Sequence, residues 1–192
     1  MKIIGSFLFI DLLSIFLILR IIYIALKEGL ISEGIKVIGS WCALFFSLQY
    51  YPLLLGGFKS KILKREYLDF FSFFIIFGGS LLFFSLLRRI ITTFVKRQNN
   101  TLIENVASFL LGVIRAGILL SAFVFSFSLL PPKENIFRGS LSLKAFYRLA
   151  PRIYLYSFGV YKKLYPQAKL NKEVGRNYEV KGDLSRSNQK GD

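Results

Sequence analysis

The sequence predicts an all-α fold: a polytopic membrane bundle of four transmembrane helices (residues 1–130), then a basic amphipathic membrane-surface arm (131–166) and a disordered polar tail (167–192). Three observations predict it. Of 192 residues, 54% are hydrophobic and 17% aromatic, with a mean hydropathy of +0.51, above the apolar share usual for a soluble domain. Four runs are long and apolar enough to supply the roughly 20 helical residues that about 30 Å of hydrocarbon requires: Ile3–Leu26, Ile35–Leu55, Leu68–Leu87 and Val106–Leu130. The net charge of +15 gathers beside and after these runs, as in flanks held at anionic lipid headgroups.

The first run opens with Lys2 and looks like a signal peptide, but Asp11 and Arg20 interrupt its apolar segment and no small-x-small cleavage site precedes LKEGL. It is therefore expected to remain as a helix. The second run contains the single cysteine, Cys42, which cannot form an intrachain disulfide and reads as a small packing residue within GSWCALFF. The third is flanked by KSKILKRE before it and RRIITTFVKRQNN after it. The fourth contains one charge, Arg115, near its middle.

Thirteen of the 26 Lys and Arg follow Leu130, and most others sit in the short flanks. This placement points to anionic lipid rather than nucleic acid as the partner. With four spans, the second loop (Lys59, Lys61, Lys64, Arg65) and both termini share one side, while Lys27 and the third loop (Arg88, Arg89, Lys96, Arg97) share the other. The positive-inside count favours cytoplasmic termini by a modest margin.

Catalytic patterns are nearly absent from the sequence. There is no histidine, which removes the commonest general base and metal ligand, and no HExxH, GxSxG, Walker or nucleotide-binding glycine pattern. The eleven acidic residues show no paired-carboxylate spacing, and Asp11 is the one aspartate at membrane depth. The expectation is a non-enzyme with no catalytic residue, cofactor or metal.

Charges within the spans are informative because an unpaired ion in hydrocarbon costs a few kcal/mol or more. Arg115 is expected to face inward and pair with Asp11 on the antiparallel first helix, across an offset of roughly 9 Å. Arg20 lies at the level where Glu33 and Glu104 begin the second and fourth spans, so it either joins a second charged layer there or snorkels to the headgroups. Small residues mark faces expected to touch: Gly39, Ala43 and Ser47 in the second span, and Ser108, Gly112 and Ala116 in the fourth, with Gly117 and Ser121 in a neighbouring row.

Two segments carry a family resemblance. GLISEGIKVIGSWCALFFSLQYY (Gly29–Tyr51), with Glu33 four residues after Gly29, resembles the stretch after the first span in the colicin V production protein (CvpA) family. ENVASFLLGVIRAGILL (Glu104–Leu120) resembles the family's fourth span in Glu104, Gly112 and Arg115, and Asp11 matches an aspartate near the start of the first. The chain departs at Asn105, where the family usually has arginine, at Ser108, where it has glycine, and at Ala116-Gly117, where one glycine follows the arginine. The resemblance covers roughly Ile3–Leu130. It implies a bacterial inner-membrane protein linked to export of a peptide toxin and to envelope maintenance, without established catalysis.

Pro131-Pro132 stops the fourth helix. Beyond it, Lys144, Arg148 and Arg152 fall at four-residue spacing, Lys163 returns close to the same face beside Lys162, and Phe146, Leu149, Ile153, Tyr156 and Tyr161 fill much of the remaining surface. Such a tyrosine-rich basic helix, with Pro151 at its first turn, is expected to lie among headgroups or dock a partner, with a short fifth crossing as the competitor. From Gln167 onward too few apolar residues remain for a core.

Two functional classes follow. One is a membrane scaffold or accessory that binds another membrane or export protein, or a second copy of itself. The other is a small transporter or channel subunit whose Asp11 and Arg115 line a polar path. Chain length and the lack of an inverted repeat favour the first.

Overall fold

The computed structural model describes residues 2–56, 65–94, 101–129, 146–171 and 174, with side chains from 11 to 54 and from 67 onward within those ranges. Five helices make up the described fold: α1 (Lys2–Glu28), α2 (Leu30–Gly56), α3 (Arg65–Phe94), α4 (Leu102–Ser128) and α5 (Leu149–Leu164). No strand occurs among the described residues.

Among the described residues, three helices are long and apolar enough to cross a membrane: Leu30–Leu54 in α2, Tyr67–Phe94 in α3 and Leu102–Ser128 in α4. The sequence expectation of four spans is met to that extent. α1 is equally long, and the side chains of its residues 2–10 lie outside the described residues. Two helices run well past their apolar runs: α3 continues seven residues beyond Leu87, and α2 begins five residues before Ile35, where its first-turn charges are paired (below).

Gly29 alone separates α1 from α2. Its φ of 84° lies in the left-handed region, where a side chain is strained, and the Glu33 N–H donates to its carbonyl at 3.1 Å. α4 starts with a reciprocal cap, in which the Glu104 N–H donates to Thr101 Oγ1 and the Thr101 N–H donates to Glu104 Oε2.

α2 and α4 form the centre of the bundle and pack on each other, α3 packs along α2, and α1 packs along α4. The polarity of the bundle is inverted relative to a soluble protein: Phe71, Ile75, Leu82, Phe83, Leu86 and Ile90 of α3, and Leu12, Ile15, Phe16 and Leu19 of α1, are exposed, while Ser40, Ser47, Ser108 and Ser121 are buried. Hydroxyls such as Ser47 and Ser121 donate to carbonyls one turn back, which keeps them satisfied away from water.

Small residues set the closest approaches. A Cβ on Gly112 would lie 2.7 Å from the Ala25 Cβ of α1, and one on Gly39 would lie 2.7 Å from the Phe84 Cβ of α3. Ala43, Ser47, Ser108 and Ala116 are buried beside them. Gly117 differs: it faces Leu149 and Phe146 at ordinary contact distance, 3.7 and 3.9 Å.

The segment after α4 departs from the expected surface arm. α5 folds back across α2 and α4, burying Ala150, Pro151, Tyr154 and Phe158 in the same core as Leu44, Phe45, Leu48 and Phe125. Pro151 falls in its first turn. Arg148, Arg152, Lys162 and Lys163 remain exposed, and Lys144, Pro131 and Pro132 lie outside the described residues. The tail reading needs a later start than Gln167, because Asn171 and Val174 are buried against the bundle. Residues 175–192 of that tail lie outside the described residues.

Candidate functional site

The polar centre of the molecule is built where α1 ends and α2 begins. Glu28 closes α1, Ser32, Glu33 and Lys36 occupy the first two turns of α2, Arg88 reaches in from the last third of α3, and Arg115 from the middle of α4. Arg115 Nη1 donates to Glu33 Oε1 at 2.7 Å, and Lys36 Nζ donates to Glu33 Oε2 at 3.1 Å. Lys36 also meets Glu28 Oε2 at 2.7 Å, an oxygen that accepts from Ser32 Oγ at 2.8 Å and from Arg88 Nη1. Arg88 Nη1 donates in addition to Ser32 Oγ at 3.2 Å. One continuous chain of ions, Arg88–Glu28–Lys36–Glu33–Arg115, therefore ties all four long helices together.

Glu33 is 0% exposed, and its cations Lys36 and Arg115 keep only 13% and 16% of their side-chain surface. A buried carboxylate is tolerated only when both oxygens find charge or hydrogen bonds, and here each oxygen has its own cation. Glu28, at the open end of the network, is 32% exposed. Burial alone would push its carboxyl up, but hydrogen bonds from Lys36 and Ser32 and the charges of Lys36 and Arg88 outweigh that and hold it below its ordinary value. Three cations thus surround two carboxylates. With both Glu33 oxygens engaged, what this geometry does is fix helix register.

The network corrects the expected pairing. Arg115 was expected to meet Asp11, yet its partner is Glu33. Gly112 sits against Ile22 and Ala25, so Arg115, one turn further along α4, is level with about residue 20 of α1, and Asp11 lies roughly 14 Å further along that helix. No arginine side chain spans that offset. Asp11 is half-buried elsewhere on α1. Arg20 is exposed and outside the network, and among the described residues Glu104 serves as the α4 cap and not as an ion partner. Glu28, Lys36 and Arg88 were missed because they sit in flanks; the signal that could have found them is the four-residue spacing of Glu28, Ser32 and Lys36, with Glu33 three residues from Lys36.

A second polar cluster holds α5 and the chain after it. Trp41 Nε1 donates to Ser157 Oγ at 2.7 Å, Tyr154 OH donates to Gln49 Oε1 at 2.6 Å, and Gln49 Nε2 donates to the Lys169 carbonyl at 3.0 Å. The Asn171 N–H donates to Tyr154 OH at 2.9 Å, and Asn171 Nδ2 donates to the Leu48 carbonyl at 2.7 Å. That last contact has a backbone cause. Pro52, four residues after Leu48, has no N–H to give, so the Leu48 carbonyl lacks its helical donor and the Asn171 amide replaces it. Among the described residues, no group of three or more Cys, Asp or Glu is placed to hold a metal ion.

Long apolar helices with outward-facing aliphatic surface and an enclosed ion network define a multi-helix membrane protein. The colicin V production protein family model matches residues 10–151, which include α2, α3, α4 and all five ions of the network, and the chain belongs to that family. No curated protein and no solved structure matches it.

Proposed function

We propose that the protein is a non-catalytic accessory of the bacterial inner membrane, crossing it four times with both termini in the cytoplasm, that assists peptide toxin production and export or envelope homeostasis as a scaffold for another membrane or export protein. The observation carrying this reading is the closure of the ion network. Every oxygen of the buried Glu33 is bound by a cation of its own chain, which suits a rigid docking platform better than a group that must release and rebind a proton or solute. The outer face of α5 adds exposed Arg148, Arg152, Lys162 and Lys163 beside Tyr156 and Leu155, a surface suited to anionic headgroups or to an acidic face of a partner.

The test has two arms. Purified protein in liposomes is expected to carry no proton or ion flux. Flux in the parent that Arg115→Leu abolishes would establish the small-transporter reading instead. In cells, Arg152→Glu combined with Lys162→Glu and Lys163→Glu is expected to remove a co-purifying membrane partner while leaving insertion intact. Unchanged co-purification would remove the docking role from α5.

A further inference from the structure

α1 and α3 pack on different central helices and leave an apolar cleft of about 220 Å³ between them, floored by α4. Leu17 and Ile21 of α1, Phe74 and Phe77 of α3, and Leu119 and Phe123 of α4 line it. Phe74 and Phe123 are more than a third exposed, so the cleft opens sideways onto the surface that would meet the bilayer. Arg20 stands next to this lining along α1. It is three residues from Leu17 and adjacent to Ile21, is exposed, and has no carboxylate partner among the described residues, unlike Arg88 and Arg115.

We propose that this cleft seats one acyl chain of an anionic phospholipid whose phosphate is bound by Arg20. Cleft and cation each require the other. In a bilayer an apolar groove gains no hydrophobic drive from being filled, since the tails outside are equally apolar, so selectivity for a lipid must come from a polar contact. Arg20 supplies it, because an arginine eight residues short of the end of α1, about 12 Å at 1.5 Å rise, avoids the hydrocarbon only by drawing an anion toward itself or stretching out to one. A guanidinium binds phosphate in a bidentate fork, and a lipid held there directs a chain along Leu17 and into the groove. The volume suffices: an apolar cavity of about 150 Å³ admits benzene, so this one takes a stretch of acyl chain. The inference goes beyond the scaffold role and stands whether or not that role holds.

The full chain, extracted from vesicles of equimolar phosphatidylglycerol and phosphatidylcholine, is analysed by native mass spectrometry. One phosphatidylglycerol retained per chain is expected, at roughly tenfold preference, the scale of one charge-assisted contact. Arg20→Leu brings the preference to parity, Arg20→Lys, which keeps the charge but not the fork, retains only part of it, and Leu119→Trp, which fills the groove from a half-exposed position, lowers retention of both lipids. Equal retention of the two lipids by the parent, an unchanged preference in Arg20→Leu, or a lipid-free dimer that Leu119→Trp dissociates would each overturn the proposal. Helical circular dichroism and a single elution peak in detergent show that each variant is folded.

Discussion

Replacing Arg115 by leucine removes one of two cations from a carboxylate that has no access to solvent. With charge centres about 4 Å apart and an effective dielectric near 20, the lost attraction is roughly 4 kcal/mol. Lys36 stays on the other oxygen, but it is shared with Glu28, so it does not compensate fully. The single variant is therefore expected to lose about 3–5 kcal/mol, the usual cost of leaving one partner of a buried pair behind. Removing both charges, as Glu33→Leu with Arg115→Leu, leaves no stranded carboxylate, and the Lys36–Glu28 contact survives at 2.7 Å. The double variant should thus be more stable than the sum of the two single losses implies, by about 2 kcal/mol or more. Unfolding in mixed detergent micelles, followed by Trp41 fluorescence, measures all four corners of the cycle. Trp41 is suited to this because its Nε1 donates to Ser157 of α5 and so reports the packed state. Losses that add to within about 0.5 kcal/mol would show that Arg115 and Glu33 do not act as a pair, and the register argument would fall with them.

Other expectations follow from the same contacts. Gly112→Ala should cost about 1–3 kcal/mol through forced separation of α1 and α4, and Ala25→Gly in the same chain should recover part of it; no recovery would mean the 2.7 Å approach is not the cause. Gly29→Ala should cost about 1–2 kcal/mol and Gly29→Asn less, measured by the same unfolding assay. Ser108→Ala should be neutral or slightly stabilising, because its buried hydroxyl has no hydrogen-bond partner among the described residues. Glu28 is held below its ordinary value, so the stability it contributes is complete above the ordinary carboxylate range and disappears as pH falls through the lowered value; a plot of unfolding midpoint against pH should drop on its acid side, and Glu28→Gln should flatten that drop. Asn171→Ala should loosen the chain after α5 in hydrogen exchange, and Pro52→Ala should reduce the bundle's dependence on Asn171 by giving Leu48 its own donor.

The helical class and the positions of α2, α3 and α4 were legible because each is a long apolar run, and that signal is local. The small residues were legible for the same reason: Gly39 and Gly112 stand at regular spacing on faces that meet. Pairing was not. Which carboxylate meets Arg115 depends on how far α1 and α4 slide along each other, and the contact of Gly112 with Ala25 fixes that only in three dimensions. The docking of α5 was hidden for a related reason. Its sequence is amphipathic either way, and a buried face of Ala150, Tyr154 and Phe158 reads the same whether it lies on lipid or on α2. Trp41, Gln49 and Asn171, which decide between the two, are more than one hundred residues from their partners or pair with backbone that only Pro52 frees.

The one-residue joint at Gly29 bears on biogenesis. Because Gly29 alone joins them, α1 and α2 form one continuous helical hairpin with no loop at the joint. The bonds from Ser32 and Lys36 to Glu28, and from Lys36 to Glu33, all close within this hairpin, so its acidic groups are already partly neutralised when it leaves the ribosome's vicinity. Arg88 and Arg115 come later in the chain, so the pairs that tie α3 and α4 to the bundle are made to carboxylates this hairpin carries.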